Sequence, residues 1–225
     1  MKFDFELEKT ALLIIDMNKA FVGKGAPLEV PRALENVPRI KKLLHTCRRL
    51  GVPVIHVSHV FRKDGRDRGY MYDFWPVLKK GVLEEGAQGA QIYPDIAPVK
   101  GETVISKRRY SAWFGTDLDI VVRNLGVDTL IICGTTTDRC TGLTAYEAFM
   151  RDLKVIFPSD ANATFQDSVH DAMLTSLNMG GASIVETEGL IKILLEKSKR
   201  QHARKGEKRK KRVSQEIANA KSRRQ

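Results

Sequence analysis

One short segment of the sequence contains a residue that can act as a nucleophile. The segment GTTTDRCTGLTAYEA, residues 134–148, follows the apolar run DTLIICG and is predicted to be the turn from a buried strand into a helix. Cys140 then lies in the first turn of that helix, where unpaired backbone N–H groups favour the thiolate over the thiol. An inert small apolar residue is also common at such a position. The chemistry of Cys140 therefore depends on partners elsewhere in the chain.

An acid and a cation are predicted to lie at the same edge of the sheet as this thiol. Asp16 ends the first predicted strand, and Lys107 ends a later one. Ligands of open parallel sheets bind beyond the carboxyl ends of the strands, so Asp16, Lys107 and Cys140 can converge there. Together they have the composition of an activated cysteine nucleophile. From the residues alone other interpretations stay open: a turn cap for the acid, a solvated charge for the lysine and core packing for the thiol.

The elements that must position these residues alternate between strands and helices. Buried strands are predicted at residues 10–17, 52–60, 127–134, 154–160 and 182–187, with a weaker one at 102–107. Helices are predicted at about 33–50, 116–125, 138–151 and 167–180, with another from residue 188 onward. This order indicates right-handed crossovers and a mainly parallel sheet of about six strands with helices on both faces. The predicted fold class is α/β, a three-layer αβα sandwich.

Residues 61–101 interrupt the alternation. The segment is rich in Gly and Pro and has no clean period, but it contains five large aromatic residues: Tyr70, Tyr72, Phe74, Trp75 and Tyr93. Long segments of this kind in compact domains are usually functional or disordered. The aromatic content favours an ordered lid or a contact between subunits.

The net charge of +11 is confined to the end of the chain. Residues 197–225 contain 13 of the 38 Lys and Arg residues but 2 of the 27 acids, which leaves 25 of each in the rest. We therefore expect a neutral globular domain at 1–196 and a basic, disordered tail at 197–225. The neutral domain does not indicate an anionic polymer as its substrate. The tail is expected to be a solvated extension, with contact to nucleic acid or acidic partners through KRKKR as the alternative.

Cysteine usage and apolar runs indicate the compartment. The three cysteines, Cys47, Cys133 and Cys140, are too few and too scattered for a disulfide framework or a metal site of the CxxC type. No apolar run approaches the roughly 20 residues of a membrane span, and the N-terminal segment does not resemble a signal peptide. The expected location is the cytoplasm, with reduced thiols.

Three longer segments resemble a known enzyme family. The segments LLIIDMNKAF, VISKRRYSAWFGTDLDIVVRNLGVDTLIICGTTTDRCTGLTAYEAF and VIFPSDA are similar, in order and spacing, to the isochorismatase-like cysteine hydrolases over about residues 10–195. The match is specific because several separated segments agree together. It implies that Asp16, Lys107 and Cys140 are the catalytic triad. It also implies a cis peptide before the nucleophile helix, at Thr136–Thr137.

Departures from the family pattern select a branch. Isochorismatases themselves lack the cysteine, so the presence of Cys140 disfavours their vinyl ether chemistry. Nicotinamidases typically carry an Asp-x-His metal motif after the second strand, where this chain has His59, Val60 and Phe61. The remaining resemblance is to amidases of carbamoyl, ureido and related small amides. No metal and no cofactor are therefore expected, and His56 and His59 are interpreted as ordinary strand histidines on opposite faces.

The resemblance also implies a mechanism. Asp16 takes the proton of Cys140, the sulfur attacks the amide carbonyl, and ammonia leaves behind a thioester that water hydrolyses. Backbone N–H groups of Thr137 and Cys140 are expected to bind the oxyanion, in the turn that also contains Thr136. The enzyme is expected to be a homo-oligomer, a dimer or a tetramer. The competing hypotheses are a nicotinamidase-like amidase and a binding or scaffold protein that has kept the fold.

Side chains near these segments are candidates for substrate binding. Phe21, Tyr110 and Trp113 either wall the pocket or pack in the core or an interface. Asn18 either bonds the substrate amide or closes the turn after Asp16. Arg108 and Arg109 either bind a substrate carboxylate or form a solvated charge pair.

Overall fold

A parallel sheet forms the centre of the structure, a computed structural model that describes residues 1–203. Its strands are β1 (Thr10–Ile15), β2 (Val54–His59), β3 (Thr103–Lys107), β4 (Thr129–Thr135), β5 (Lys154–Pro158), β6 (Asn162–Ala163) and β7 (Ser183–Val185). The order is β3-β2-β1-β4-β5-β7, β6 pairs with β4, and these pairings are parallel. The predicted α/β class is confirmed. The sheet has one strand more than expected because the two-residue β6 is too short to leave a pattern in the sequence.

Helices cover both faces of the sheet. They are α1 (Lys19–Val22), α2 (Ala33–Leu50), α3 (Met71–Phe74), α4 (Leu118–Asn124), α5 (Gly142–Phe149), α6 (Asp167–Met179) and α7 (187–203). Apolar residues of β1 alternate between the faces: Leu12 and Ile14 pack with α2 and α7, and Leu13 and Ile15 pack with α4, α5 and α6. This period of two creates two separate cores and three layers. Within residues 1–203, no helix has both the length and the apolar character needed to cross a membrane.

The segment 61–101 is ordered and packs against the α2 side of the sheet. It contains α3 and 3₁₀ turns at Pro76–Lys80, Gln88–Ala90 and Pro94–Ile96. Its buried side chains belong to the same core cluster as α2: Phe61, Tyr72, Leu78, Leu83 and Ile96. Burial of this much apolar surface explains why a segment without a clean period has a fixed conformation. Its role as a subunit contact stays a prediction.

The last described helix continues past the predicted start of the tail. Helix α7 runs through residue 203, so residues 197–203 are helical although they were assigned to the basic tail. Lys197 Nζ lies 4.5 Å from the centre of the Phe5 ring, which ties this end of the helix to the domain. Residues 204–225, with the predicted disorder and nucleic-acid contact, lie outside the described residues.

Candidate active site

The sheet edge brings the three predicted residues together. The strands β1 and β4 are neighbours, while the chain continues from them in opposite directions across the sheet. Asp16 directly follows β1, Cys140 follows β4, and Lys107 ends β3. Lys107 Nζ lies 2.7 Å from Asp16 Oδ2 and 3.3 Å from Cys140 Sγ. The site therefore lies at the topological switch point, where open α/β sheets bind their ligands.

All three groups are buried, and burial and the charges of their neighbours together shift their pKa values. Asp16 and Lys107 are 0% exposed and Cys140 is 5% exposed. Burial raises the pKa of Asp16 even though Lys107 opposes the shift. Burial acts to lower the pKa of Lys107, but attraction to Asp16 and Cys140 outweighs it and raises the pKa. Attraction to its two neighbours therefore favours the charged form of Lys107.

The thiol of Cys140 is protonated in this environment. Burial first, and then the negative charge of Asp16, raise the pKa of Cys140 to about 12, although Lys107 acts in the opposite direction. The expectation of a thiolate in a helical first turn is therefore corrected: a neighbouring carboxylate and the loss of water dominate. A carboxyl group with a raised pKa, that of Asp16, lies beside this thiol, and its role as the base stays a prediction.

The backbone at the sheet edge holds Asp16 in an uncommon conformation. Its φ of 52° lies in the left-handed region, which residues other than glycine seldom adopt. The Asp16 N–H donates to the Val57 carbonyl at 2.8 Å, and the Asp16 carbonyl accepts from Thr135 Oγ1 at 2.8 Å. On the facing strand, a Cβ at Gly134 would lie 1.9 Å from the Ile15 carbonyl oxygen, so only glycine permits this close approach.

Cys140 lies in a π-helical turn, Thr137–Thr141, which continues directly into α5. The Thr136 carbonyl accepts the N–H groups of Arg139 and Thr141, both at 3.1 Å. Thr144 Oγ1 donates to the Cys140 carbonyl at 2.6 Å. Single π-helical turns inside helices frequently occur at functional sites. The helix predicted at 138–151 is thus two elements, with Cys140 in the first.

The cis peptide is one residue earlier than the sequence analysis placed it. It joins Thr135 and Thr136, not Thr136 and Thr137. Thr137 already belongs to the π-helical turn, and Thr135 is the last residue of β4. The irregular bond therefore lies at the junction of the two elements. Thr137 is fixed separately, because its Oγ1 lies 2.8 Å from His170 Nδ1 on α6.

A mostly apolar pocket opens beside Asp16 and Cys140. Its walls come from four parts of the chain, namely the region around α1, the 61–101 segment, the residues after β3 and the residues after β6: Phe21, Leu28, Met71, Trp75, Leu78, Leu83, Tyr110 and Phe165. The 61–101 segment thus forms one wall of the pocket, as its interpretation as a lid requires. Apolar walls with a few polar groups at one end are typical of small-molecule sites.

Two of the four predicted substrate-binding residues line this pocket. Phe21 and Tyr110 do so, and the Tyr110 hydroxyl accepts from Trp75 Nε1 at 3.0 Å. Asn18 instead donates from Nδ2 to the Ala90 carbonyl at 2.8 Å and connects the start of α1 to the 61–101 segment. Trp113 lies in the core and donates from Nε1 to the Thr144 carbonyl at 3.0 Å. For Trp113 the core alternative is the one observed, whereas the contact of Asn18 with Ala90 matches neither of the two predicted roles.

The arginine that reaches the pocket is not one of the two that the sequence analysis considered. Arg108 pairs with Asp67 at 2.5 Å, and both Arg109 contacts are to backbone carbonyls. Arg139 lines the pocket, and its guanidinium carbon lies 5.4 Å from the Trp75 ring centre. Pattern alone gave no signal for this role, since Trp75 is distant from Arg139 in sequence.

His59 is a second pocket residue that the sequence analysis missed. It is the last residue of β2 and is the register partner of Lys107. Its Nδ1 lies 3.4 Å from Lys107 Nζ, and its ring packs on Phe61 with centres 4.8 Å apart. The rule that selected Asp16 and Lys107, a polar residue at the carboxyl end of a strand, also selects His59.

The donor set does not fit a resident metal ion. Among residues 1–203, one group of three potential ligands has donor atoms within 4.8 Å of one another: Asp16, His59 and Cys140. The Lys107 ammonium contacts all three residues, so a divalent cation there would meet a like charge. Phe61, two residues after His59, offers no ligand atom. The expectation of no metal stays a prediction.

Comparisons with known proteins identify relatives of this chain. Residues 10–189 match the model of the isochorismatase domain. Nicotinamidase 3 of Arabidopsis thaliana is 33% identical, over 82% of this chain and 88% of its own. N-carbamoylsarcosine amidase of an Arthrobacter species is 31% identical, over 68% of this chain and 58% of its own. The crystal structure of a cysteine hydrolase from Pseudomonas syringae pv. phaseolicola is 30% identical, with a TM-score of 0.82 over 87% of this chain and 96% of that one.

Proposed function

This chain belongs to the isochorismatase family, and from that premise we propose that it is a cysteine hydrolase that cleaves the C–N bond of a small amide, ureido or carbamoyl compound. One observation carries the proposal: the Lys107 ammonium contacts both the Asp16 carboxylate, at 2.7 Å, and the Cys140 thiol, at 3.3 Å. This arrangement joins a nucleophile, a base and a permanent cation beside a pocket. It is the set of groups that thioester chemistry requires.

In the first half of the reaction Asp16 takes the Cys140 proton as sulfur attacks the amide carbonyl. Since the resting thiol is neutral, proton transfer accompanies the attack, and the raised pKa of Asp16 makes it a stronger base for that step. Lys107 stabilises the negative charge that moves from carboxylate to sulfur. Backbone N–H groups of Thr137 and Cys140 bind the oxyanion, which requires the rigid turn held by Thr136.

In the second half the protonated Asp16 gives its proton to the leaving nitrogen. Ammonia departs, and the acyl group remains on Cys140 as a thioester. Asp16 then takes a proton from water, which attacks the thioester. The C–S bond breaks, the acid or carbamate is released, and Asp16 returns its proton to the Cys140 sulfur. Every proton that moves in these steps passes through the Asp16 carboxyl group. The proposed steps therefore use only this chain's own residues and water.

The pocket walls favour a substrate with a flat or apolar body. Phe21, Trp75 and Phe165 line the pocket, and the guanidinium carbon of Arg139 lies 5.4 and 5.9 Å from the centres of the last two rings. Aromatic faces and a stacked guanidinium accept planar amides and conjugated groups. Nicotinamide belongs to the same chemical class, so a nicotinamidase-like activity is the alternative that the experiment must separate.

The test is ammonia release from a panel of amides by the purified protein. The panel contains biuret, ureidoacrylate, N-carbamoylsarcosine, maleamate and nicotinamide. We expect turnover of at least one panel member, and a loss of at least about 1,000-fold in Cys140→Ala. Cys47→Ala is the matched control, because Cys47 is equally buried but lies in the core on the α2 side. A Cys140→Ala protein that kept its activity would overturn the mechanism.

Chelation separates the proposed branch from the alternative. Treatment with EDTA is expected to leave turnover unchanged, because the Lys107 ammonium contacts all three potential metal ligands and would repel a cation there. Loss of activity with EDTA and recovery with a divalent ion would instead assign the protein to a metal-dependent, nicotinamidase-like branch.

A further inference from the structure

Arg139 is a pocket residue that has no part in the proton transfers proposed above. It directly precedes Cys140 in the π-helical turn and lines the pocket with it. Its guanidinium carbon lies 5.4 Å from the centre of the Trp75 ring and 5.9 Å from that of the Phe165 ring, and both rings line the same pocket. The charged end of the side chain, and not only its stem, is therefore at the pocket wall.

The two rings position this guanidinium but offer its N–H groups no strong acceptor. A guanidinium has five N–H donors. Within residues 1–203 its one ionic contact is with Asp138 Oδ2, at 3.5 Å, which is longer than the usual N–H···O distance of about 2.7–3.2 Å. Asp138 does not line the pocket, and its other carboxylate oxygen accepts from Thr164. One long contact leaves Arg139 able to bind a further acceptor.

Arg151 shows the opposite situation outside the pocket. Its guanidinium carbon also lies near an aromatic ring, 4.6 Å from the centre of Trp113, and its side chain is 35% exposed, against 32% for Arg139. However, Arg151 Nη1 donates to the carbonyl and the carboxylate of Glu147, both at 3.0 Å. Two arginines with similar exposure and similar ring contacts thus differ in their acceptors, and the arginine in the pocket is the one without a short contact to a carboxylate.

The charges around the pocket favour an anion beside Arg139. Of the described residues that line the pocket, Arg139 alone carries a permanent positive charge. The acid among them is Asp16, and Lys107 Nζ, 2.7 Å from its carboxylate, offsets its charge. Opposite charges attract more strongly between apolar walls than in bulk water, because the local dielectric constant is lower.

We propose that Arg139 is a specificity-determining residue, whose guanidinium binds a carboxylate carried by the amide or ureido substrate. The inference rests on the proposed function and narrows its substrate class to short amides that also bear a carboxylate. The fork of N–H donors matches the two oxygens of a carboxylate, and the rings beside it accept the short chain between that carboxylate and the amide. The bound carboxylate neither gives nor takes a proton in the reaction.

The amide panel separates this class from neutral substrates. Maleamate, ureidoacrylate and N-carbamoylsarcosine carry a carboxylate, whereas biuret and nicotinamide do not. We expect the wild type to have its highest kcat/KM with a carboxylate member. For that substrate, Arg139→Met should lower kcat/KM at least about 30-fold, mainly through KM, as expected for the loss of a hydrogen bond between charged groups.

A carboxamide analogue and two further variants separate charge recognition from packing. When the substrate carboxylate is replaced by a carboxamide of the same shape, the loss caused by Arg139→Met should be at least about tenfold smaller. Arg139→Lys keeps the charge without the planar fork and should lose less of the preference for the carboxylate than Arg139→Met. Arg151→Met is the matched control and should leave kcat/KM unchanged within about twofold.

Isothermal titration calorimetry with crotonate, a short planar carboxylate without an amide, tests the anion site without turnover. We expect crotonate to bind the wild type more tightly than crotonamide does, and Arg139→Met to weaken crotonate binding at least about tenfold. Crotonate binding that does not depend on Arg139 overturns the proposal. So does a wild type that prefers a neutral panel member, or an equal loss for carboxylate and carboxamide substrates in Arg139→Met. If the wild type releases no ammonia from any panel member but binds crotonate through Arg139, the proposed function fails while the carboxylate site is retained.

Discussion

The reactivity proposed for Cys140 depends on the carboxyl group next to it more than on the helix in which it lies. The buried thiol beside Asp16 has a pKa of about 12, so in the proposed mechanism it becomes nucleophilic when Asp16 removes its proton. Burial also raises the pKa of Cys47 to about 12, but Cys47 lies in the core on the α2 side and does not line the pocket that contains Asp16. The two cysteines therefore differ in access and in partners, and their proton affinities are similar.

This difference predicts selective alkylation. With iodoacetamide at neutral pH, Cys140 should react before Cys47 and Cys133, because it alone of the three lines the pocket. Asp16→Asn should speed alkylation of Cys140, because it removes a negative charge that raises the pKa of the thiol and leaves the Lys107 ammonium beside the sulfur. Peptide mapping by mass spectrometry measures both. Asp95→Asn, at an exposed carboxylate, is the control, and faster labelling of Cys47 than of Cys140 would contradict the assignment.

At the scale of elements, the position of Lys107 depends on how the edge strand β3 is attached to the sheet. Glu102 immediately precedes β3 and accepts two hydrogen bonds from Arg48 of α2, both at 2.8 Å. His56 Nε2 of β2 lies 3.2 Å from the same carboxylate. This cluster joins α2, β2 and β3 at the end of β3 opposite to Lys107. A bidentate arginine pair that is largely buried contributes more than an exposed ion pair.

The cluster predicts a stability change with pH. Burial acts to raise the pKa of Glu102, but the Arg48 hydrogen bonds outweigh it and lower the pKa from 4.5 to about 2. A lowered folded-state pKa gives stability that is present above pH 4.5 and is lost as the pH falls toward 2. Glu102→Gln should therefore lower the free energy of unfolding by roughly 2 kcal/mol at pH 7, and by much less near pH 2.5.

Urea denaturation of both proteins at several pH values between 7 and 2.5 measures this difference. Glu35→Gln, at an exposed glutamate of α2, serves as the control and should change stability little at any pH. An effect of Glu102→Gln that stayed constant over this range would show that packing, and not charge, accounts for the loss.

At the scale of the whole molecule, the excess positive charge lies near the end of the chain. The predicted boundary after residue 196, however, falls inside a helix. Helix α7 packs Leu190, Ile191 and Leu194 into the core and continues through residue 203. A truncation after residue 196 would therefore cut a helix that belongs to the domain. Residues 204–225 still contain 10 of the 13 basic residues counted beyond residue 196.

Truncation after Ala203 is expected to leave turnover of a neutral amide unchanged within about twofold, because the described pocket residues all precede that point. The same truncation should abolish salt-sensitive retention on heparin, since such affinity scales with the number of anionic groups neutralised. Steady-state kinetics and heparin chromatography measure the two effects. A folded but inactive truncated protein, or one still retained by heparin, would contradict this separation.

The sequence by itself determined the alternation of strands and helices and three polar residues at strand ends. Burial in a parallel sheet requires continuous apolar runs. Asp16 and Lys107 mark where two of those runs stop, and Cys140 lies in the turn after a third, so local pattern was sufficient to predict both. It was not sufficient for Trp113 and Asn18, whose aromatic and amide groups suit a pocket and a core equally. Their contacts with Thr144 and Ala90 join distant parts of the chain.

Tertiary structure alone decided the proton states and the pocket. The pKa of Cys140 depends on burial and on a carboxylate more than a hundred residues away, and the contacts of His59 with Lys107 and of Arg139 with Trp75 join distant parts of the chain. Periodicity reports which face of an element is buried, but it carries no information about which charges share a site. Electrostatic interactions depend on distance in space, and only the packed fold fixes that distance.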